Sequence, residues 1–209
     1  GQVLSHMLPV FKKTFRSYEC ILVENGSTDN TPDVVNKLAK KYAHTRVVTA
    51  PKGYGSAVLS GLAAARGKYV CYMPSDGQID LLVIPELWRL SQTGNWDVVK
   101  VRRVTRESWD RQIVSALFSW IVSILFHVPR LDVNGSPRIL RRSDMIKLNL
   151  QHTDSFIDTE FAVKAHTFGW KIYEIPMKTL SRSGGVSTRS WRTYWEFIKN
   201  IYIYRRSLK

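Results

Sequence analysis

Cysteine is almost absent from this chain: Cys20 and Cys71 are the only two in 209 residues. Both sit in apolar, strand-like runs ("YECILV" and "YVCYM") without the paired Cys/His spacing of a zinc site, so they read as buried, reduced thiols. The five histidines are scattered and form no ligand cluster. Long hydrophobic runs are missing too. The longest, "IVSALFSWIVSILFHV" at 113–128, is shorter than the roughly 20 residues needed to cross a bilayer and is interrupted by serines. No repeat or low-complexity linker divides the chain. The opening "GQVLSHMLPVFKKTF" reads as an amphipathic helix rather than a targeting signal, with Val3, Leu4, Met7, Leu8, Phe11 and Phe15 at helical spacing.

Acidic residues are scarce. Seventeen Asp and Glu stand against 31 Lys and Arg, for a net charge of +14, and the surplus is uneven: 11 basic against 8 acidic residues up to residue 99, then 20 against 9. A basic face of this kind suits an anionic membrane, a diphosphate ligand or nucleic acid. Zinc-finger, RNA-recognition and heptad basic signatures are lacking, so nucleic acid is not expected as a partner. With 44% hydrophobic residues the chain can bury one sizeable core, and a single domain over 1–209 is expected.

Strand-like and helical segments alternate. "YECILV" leads into "ENGSTDNT", where Thr31 can cap a helix whose first position is Pro32 and whose first turn carries Asp33. "RVVTA", the glycine turn "PKGYGS", the helix "AVLSGLAAAR", the strand "KYVCYM" and a helix around "LLVIPELWRL" follow. Beyond residue 96 come the strand "WDVVKV", a basic segment, a helix at 111–128, the turn "DVNGSPRILRRS", the helix "IDTEFAVKAHTFG", the strand "WKIYEIPM", the loop "SRSGGVSTRS" and an aromatic helix. Apolar strands separated by helices call for a mainly parallel sheet covered on both faces. Ligands of such sheets bind beyond the carboxyl ends of the strands. "ENGSTDNT" and "PSDGQ" both follow strand ends and should converge on one cleft.

The chemistry of these turns has two readings each. Asp76 and Gln78 in "PSDGQ" offer one charged and one neutral oxygen to a hard divalent cation, although Pro-Ser-Asp-Gly is also ordinary turn composition. Asn25-Gly26 is a favoured turn pair, and Asp29 can shape the loop. Lys52, Gly53 and Gly55 precede a helix, where bare backbone donors suit an anion and close packing explains the glycines equally well.

Taken in order, "ILVENGSTDNT", "KGYGSAVLSGLAAARGKYVCYMPSDGQ", "DVVKVRRVTR", "DVNGSPRILRR" and "EIPMKTLSRSGGVS" resemble glycosyltransferase family 2, and within it the dolichol-phosphate mannose synthase group. The resemblance implies a GT-A-type α/β fold, with residues 1–99 as the nucleotide-sugar half and 100–209 as the acceptor and membrane-facing half. It implies an inverting, Mg²⁺- or Mn²⁺-dependent transfer from a nucleotide-diphospho-sugar to a polyprenyl phosphate. Asp76 and Gln78 then stand where the family holds its metal. Glu24, Asn25, Gly26, Asp29, Lys52 and Gly53 stand around the nucleotide. Arg103 and Arg106 resemble phosphate-facing arginines, and Arg182, Gly185 and Ser187 the loop that closes over the diphosphate. Asp132, Asp158 and Glu160 match acidic acceptor-side positions, with Asp158 or Glu160 as base if the acceptor is a sugar hydroxyl.

The sequence departs from the family in two places. The family opens with a strand ending in an Asn-Glu turn, whereas this sequence opens at the helix that follows it. Its aspartate pair reads here as Pro74-Ser75-Asp76. These departures keep a hydroxyl-acceptor enzyme and a catalytically silent binding module in view. The helix in "SWRTYWEFIKNIYIYRRSLK" mixes Trp191, Trp195, Phe197, Ile198, Tyr202 and Ile203 with Arg192, Lys199, Arg205 and Arg206. With 111–128 it is expected to hold the chain at the cytoplasmic face of an anionic membrane as a peripheral protein, with a membrane-spanning partner as one way to complete it.

Overall fold

A computed structural model describes residues 2–104, 109–181 and 191–207, the side chains of 109–111, 191–196 and 207 excepted. The order is α1 (Gln2–Thr14), β1 (Cys20–Glu24), α2 (Thr31–Lys41), β2 (Thr45–Thr49), α3 (Tyr54–Ala64), β3 (Tyr69–Tyr72) and α4 (Val83–Ser91). Then follow β4 (Val98–Arg103), α5 (Trp109–Phe126), β5 (Arg138–Arg141), α6 (Arg142–Lys147), α7 (Ile157–Thr167), β6 (Ile172–Met177) and α8 (Trp191–Ser207).

The expected alternation holds, but the single sheet does not. β1 and β2 form a parallel pair, while β3, β5, β4 and β6, in that order, form a second sheet. β5 lies antiparallel between β3 and β4, and β4 runs parallel to β6. The segment read as a turn, "DVNGSPRILRRS", thus contains a strand at the centre of the sheet. Its four residues are Arg-Ile-Leu-Arg, too polar and too short to announce a buried strand.

Side chains alternate across this sheet. On one face Val99, Val101, Ile139, Ile175 and Met177 pack under α4 through Ile84 and Leu87. On the other, Val70, Val98 and Leu140 pack against Val58 of α3 and Ile157 and Phe161 of α7. Leu4, Met7 and Leu8 of α1 cluster with Cys20 and Leu22, as the helical spacing predicts. Cys20 is buried; Cys71 is exposed, against expectation. Asp29, not Thr31, orders the start of α2, by accepting the Thr31 N–H (3.0 Å).

The loop between α5 and β5 is pressed against β4. A Cβ at Gly135 would collide with the Val101 carbonyl oxygen and lie 2.9 Å from that of Asp132. Gly135→Ala should therefore cost about 1–3 kcal/mol, the range for overpacking a tight interior, as read by urea unfolding. A cost below a few tenths would mean the loop is free to shift.

Candidate active site

The register of the larger sheet brings four polar side chains into one row. Tyr72 pairs with Arg138, Arg138 with Lys100, and Lys100 with Glu174. Two residues earlier on each parallel strand the same face carries Val70, Val98 and Ile172, with Leu140 opposite. The apolar core therefore gives way to a charged row near the carboxyl ends of β3, β4 and β6.

Arg138 is 0% exposed. Its Nη2 donates to Asp158 Oδ1 at 2.9 Å and to the Val133 carbonyl at 3.3 Å. The rings of Tyr72 and Phe161 lie 4.9 and 4.7 Å from the guanidinium carbon, a cation–π arrangement strengthened by desolvation. The Tyr72 hydroxyl donates to the same Asp158 oxygen at 3.2 Å. Burial and then the Asp158 charge push the Tyr54 phenol up, so it stays protonated beside this pair.

Lys100 is equally enclosed. Its Nζ donates to the Asp132 carbonyl and lies 3.4 Å from Glu174 Oε1. Burial and then the Arg138 charge pull Lys100 down to about 8, against the attraction of Glu174 and Asp132. Glu174 also accepts the Asp132 N–H at 2.9 Å. Arg103 grips Asp132 with both arms of its guanidinium, Nε to Oδ2 at 2.8 Å and Nη2 to Oδ1 at 2.7 Å. Three cations and three carboxylates thus form one nearly enclosed network.

At the end of β1, Glu24 is buried and accepts the Ser27 N–H at 2.6 Å; the Ser27 backbone and hydroxyl hold its carboxyl below the usual range. Asn25 donates to the Gly53 carbonyl at 3.2 Å, joining the loops that follow β1 and β2. Gly26, at φ 78°, lies against Lys52. The first turn of α3 is less open than the glycine turn suggests. A Cβ at Gly53 would meet the Thr153 carbonyl oxygen at 2.6 Å, one at Gly55 the Asp154 carbonyl oxygen at 2.7 Å, and the Ser56 N–H is already taken by Thr153. Close packing accounts for Gly55.

Asp76 lies in the turn that follows β3, is half-buried, and accepts the Gln78 N–H at 3.2 Å. No cluster of three metal-ligating His, Cys, Asp or Glu residues occurs among the described residues. One carboxylate and one carboxamide still fit magnesium or manganese, which are hard cations that keep water and phosphate oxygens as their remaining ligands.

The α7 carboxylates occupy different positions from those of a free base. Asp158 faces Arg138 and Tyr72. Glu160, 1% exposed, accepts the N–H groups of Gln151 and His152 (3.0 Å each) and pairs with Lys164 at 2.6 Å, clamping the 149–153 loop. Arg106, Arg182, Gly185 and Ser187 lie outside the described residues. Lys100, Arg138, Glu174, Tyr54 and Tyr72 escaped the motif reading. The signal available for two of them was a cation inside a strand pattern, Lys100 in "DVVKV" and Arg138 in "PRILRR". Beside the network, an open cavity of about 190 Å³ runs past Gly53 and Tyr54 to Phe156 of the α6–α7 loop and to Phe197 and Asn200 of α8.

The Arg138–Asp158 pair makes a sharp stability prediction. Arg138→Met alone strands a buried carboxylate and should cost about 3–5 kcal/mol, while adding Asp158→Leu should restore most of that loss. Denaturant unfolding of the two variants decides it; equal losses would show that the pair is not coupled.

Residues 4–153 match the profile of glycosyl transferase family 2, across the border expected near residue 99. Uncharacterized glycosyltransferases of Mycobacterium bovis and Mycobacterium tuberculosis are 29% identical over 174 residues, covering 81% of this chain and 77% of theirs. Among solved structures, glucosyl-3-phosphoglycerate synthase from M. tuberculosis superposes with a TM-score of 0.70 at 16% identity, covering 98% of this chain and 75% of that one. A mycobacterial protein reaches 0.62 at 21% identity, and this chain, covered over 85% of its length, spans only 62% of that one. These superpositions establish a shared GT-A-like fold, and with the profile extending over most of its length the chain belongs to glycosyl transferase family 2.

Proposed function

We propose that this chain moves a sugar from a nucleotide-diphospho-sugar onto a polyprenyl (dolichyl-type) phosphate at an anionic, cytoplasm-facing membrane surface. The observation that carries the acceptor is the state of α7. Asp158 is held by Arg138 and Tyr72, and Glu160 by two backbone N–H groups and Lys164, so neither is placed to take a proton from a hydroxyl. A phosphate acceptor needs no base, because its second pKa near 6 leaves it ionised at neutral pH.

In this reading the acceptor phosphate oxygen attacks the anomeric carbon as the bond to the donor diphosphate breaks, inverting the configuration. Arg103, fixed by Asp132, lends positive potential where charge accumulates, and rigid placement contributes most of the rate. Asp76 and Gln78 would hold a Mg²⁺ or Mn²⁺ that neutralises the departing diphosphate. The glucosyl-3-phosphoglycerate synthase superposed above was solved with Mn²⁺ and UDP, and Staphylococcus aureus TarS, at TM-score 0.53, with UDP-GlcNAc, which supports a nucleotide-sugar donor. Arg182, Gly185 and Ser187 keep the role of closing over the diphosphate on the strength of the motif.

Membrane attachment draws on α5 and α8. Phe118 and Phe126 face inward, against Phe197 (4.9 Å) and Tyr204 (5.8 Å) of α8, so Phe197 belongs to the core and not to a lipid face. Ile113, Leu117, Trp120 and Ile124 line the opposite side of α5 and are 46–63% exposed; Ile198, Tyr202 and Ile203 project from α8 beside exposed Lys199, Arg205 and Arg206. Among the described residues no helix is long and apolar enough to cross a membrane. An interfacial apolar stripe with basic flanks is the arrangement that docks on anionic lipid.

Transfer from UDP- and GDP-sugars to a short polyprenyl phosphate with manganese tests the reaction. Product that requires the lipid phosphate is expected; transfer to a sugar hydroxyl instead would overturn the acceptor, and no donor turnover would point to a silent binding module. Asp76→Asn should remove most metal-dependent turnover with stability unchanged, and full activity at limiting metal would refute its role. In liposome flotation the chain should bind anionic vesicles more than neutral ones, with about 1 kcal/mol per basic residue screened by salt. Leu117→Asp should abolish that binding; a variant that floats as well as the parent would remove α5 from the surface.

A further inference from the structure

Asp132 holds the Arg103 side chain with both carboxylate oxygens, and its own backbone is anchored on both sides. The N–H ahead of its Cα donates to Glu174 Oε1 at 2.9 Å, and the carbonyl after it accepts from Lys100 Nζ. Each peptide unit is planar, so holding the two that flank the Cα fixes φ and ψ together. The same carbonyl accepts the Gly135 N–H at 2.7 Å, closing residues 132–135 into a tight turn. The lysine stem lies directly under that turn, with Cε 3.0 Å from where a Gly135 Cβ would stand. Lys100 and Glu174 are cross-strand neighbours on β4 and β6 whose charged ends meet at 3.4 Å, so one ion pair serves both anchors. Arg103 ends the same strand as Lys100, and its backbone N–H also donates to Asp132 Oδ2 at 3.0 Å.

The sheet itself does not require a lysine here. Val98, Val99 and Val101 of the same strand are 0% exposed, and Lys100 among them is 2% exposed. Replacing a buried ion pair by hydrophobic residues of similar volume is often neutral or stabilising. Four charged groups face the ammonium: Arg138 on β5, Glu174 on β6, Asp132 in the loop and Asp158 on α7. Burial first, and then Arg138, pull the Lys100 pKa down to about 8, while the three carboxylates oppose them. Its charge is therefore lost within reach of neutral pH. Burial moves the phenols of Tyr54 and Tyr72 the other way, so they stay protonated over this range.

We propose, on the reading of Arg103 as a phosphate-facing arginine, that Lys100 and Glu174 are positioning residues for sugar transfer: they clip the Asp132 backbone in place and, through its carboxylate, the Arg103 guanidinium. Lys100 is the part of the clip that pH can release. While it is protonated, Glu174 has a counter-charge and the Asp132 carbonyl a charged donor, the stronger kind of hydrogen bond. Once the proton leaves, Glu174 loses that counter-charge, the balance of three cations and three carboxylates is broken, and the Asp132 carbonyl keeps only neutral donors. The loop that carries Asp132 is then held less firmly against β4. An arginine displaced with it lends its charge in the wrong place, and a misplacement of about 1 Å can cost about 100-fold in rate.

Arginine side-chain NMR on the 209-residue chain tests the clip without a substrate. At pH 7 the Arg103 Nε–H, assigned by its loss in Arg103→Lys, should exchange at least about 100-fold slower than that of exposed Arg102 beside it. That ratio should fall at least about 10-fold as pH rises through about 8. Glu174→Gln keeps an acceptor for the Asp132 N–H but removes a charge that favours protonated Lys100, so the midpoint should move down by about one pH unit. A ratio that ignores pH, or a midpoint that Glu174→Gln leaves in place or raises, would overturn the proposal. Function is read as kcat/KM with the UDP- or GDP-sugar that the chain turns over. Lys100→Met should lower it at least about 10-fold yet add nothing to Arg103→Ala, because both variants remove the same aimed charge. Losses that multiply in the double variant would make Lys100 a structural residue only and overturn the proposal equally. Absence of turnover with every donor would sink the transfer reading, and the exchange ratio would still decide the clip.

Discussion

Burying charge in one cross-strand row constrains the rest of this molecule. Tyr72, Arg138, Lys100 and Glu174 lie abreast on four neighbouring strands, and two of them are cations excluded from water. A buried charge is tolerated only when paired and hydrogen-bonded. That requirement places α7, whose Asp158 must reach Arg138, and the loop that brings Asp132 to Arg103 and to Lys100. A register slip of one residue would send the whole row to the α4 face, where Ile84 and Leu87 offer no partner.

The network also sorts the charge of the chain. Its three cations and three carboxylates balance, so the surplus of +14 is carried elsewhere, by residues such as Lys199, Arg205 and Arg206 on the exposed side of α8. An inner set that is rigid and neutral can orient an arginine such as Arg103 without drawing in counterions. An outer set that is basic attracts anionic surfaces from a distance and is screened by salt. The cavity between α3 and α8 lies apart from both sets of charges in its lining, which runs from Gly53 and Tyr54 to Phe197 and Asn200.

Local chemistry was legible wherever a segment's own periodicity fixed its environment. α1 buries Leu4, Met7 and Leu8 because their spacing puts them on one face, and Asp76 sits beyond β3 because "YVCY" must end where the Pro-Ser-Asp-Gly turn begins. β5 was not legible. Its two arginines contradict a central strand until Tyr72, Phe161 and Asp158 are brought around Arg138 by segments distant in sequence. The expected burial of Cys71 failed for the same reason, since an apolar neighbourhood in sequence does not guarantee a neighbouring strand in space.

The sequence by itself determined the alternation of strands and helices, the basic balance of the second half, the turns that follow β1 and β3, and family membership, because each is a property of contiguous residues or of their order. Tertiary structure alone decided that the strands divide between two sheets, that Glu160 clamps a loop instead of facing solvent, and that Asp158 is committed to a buried arginine. Those outcomes depend on desolvation and on partners 8 to 86 residues away along the chain, and desolvation has no local signature.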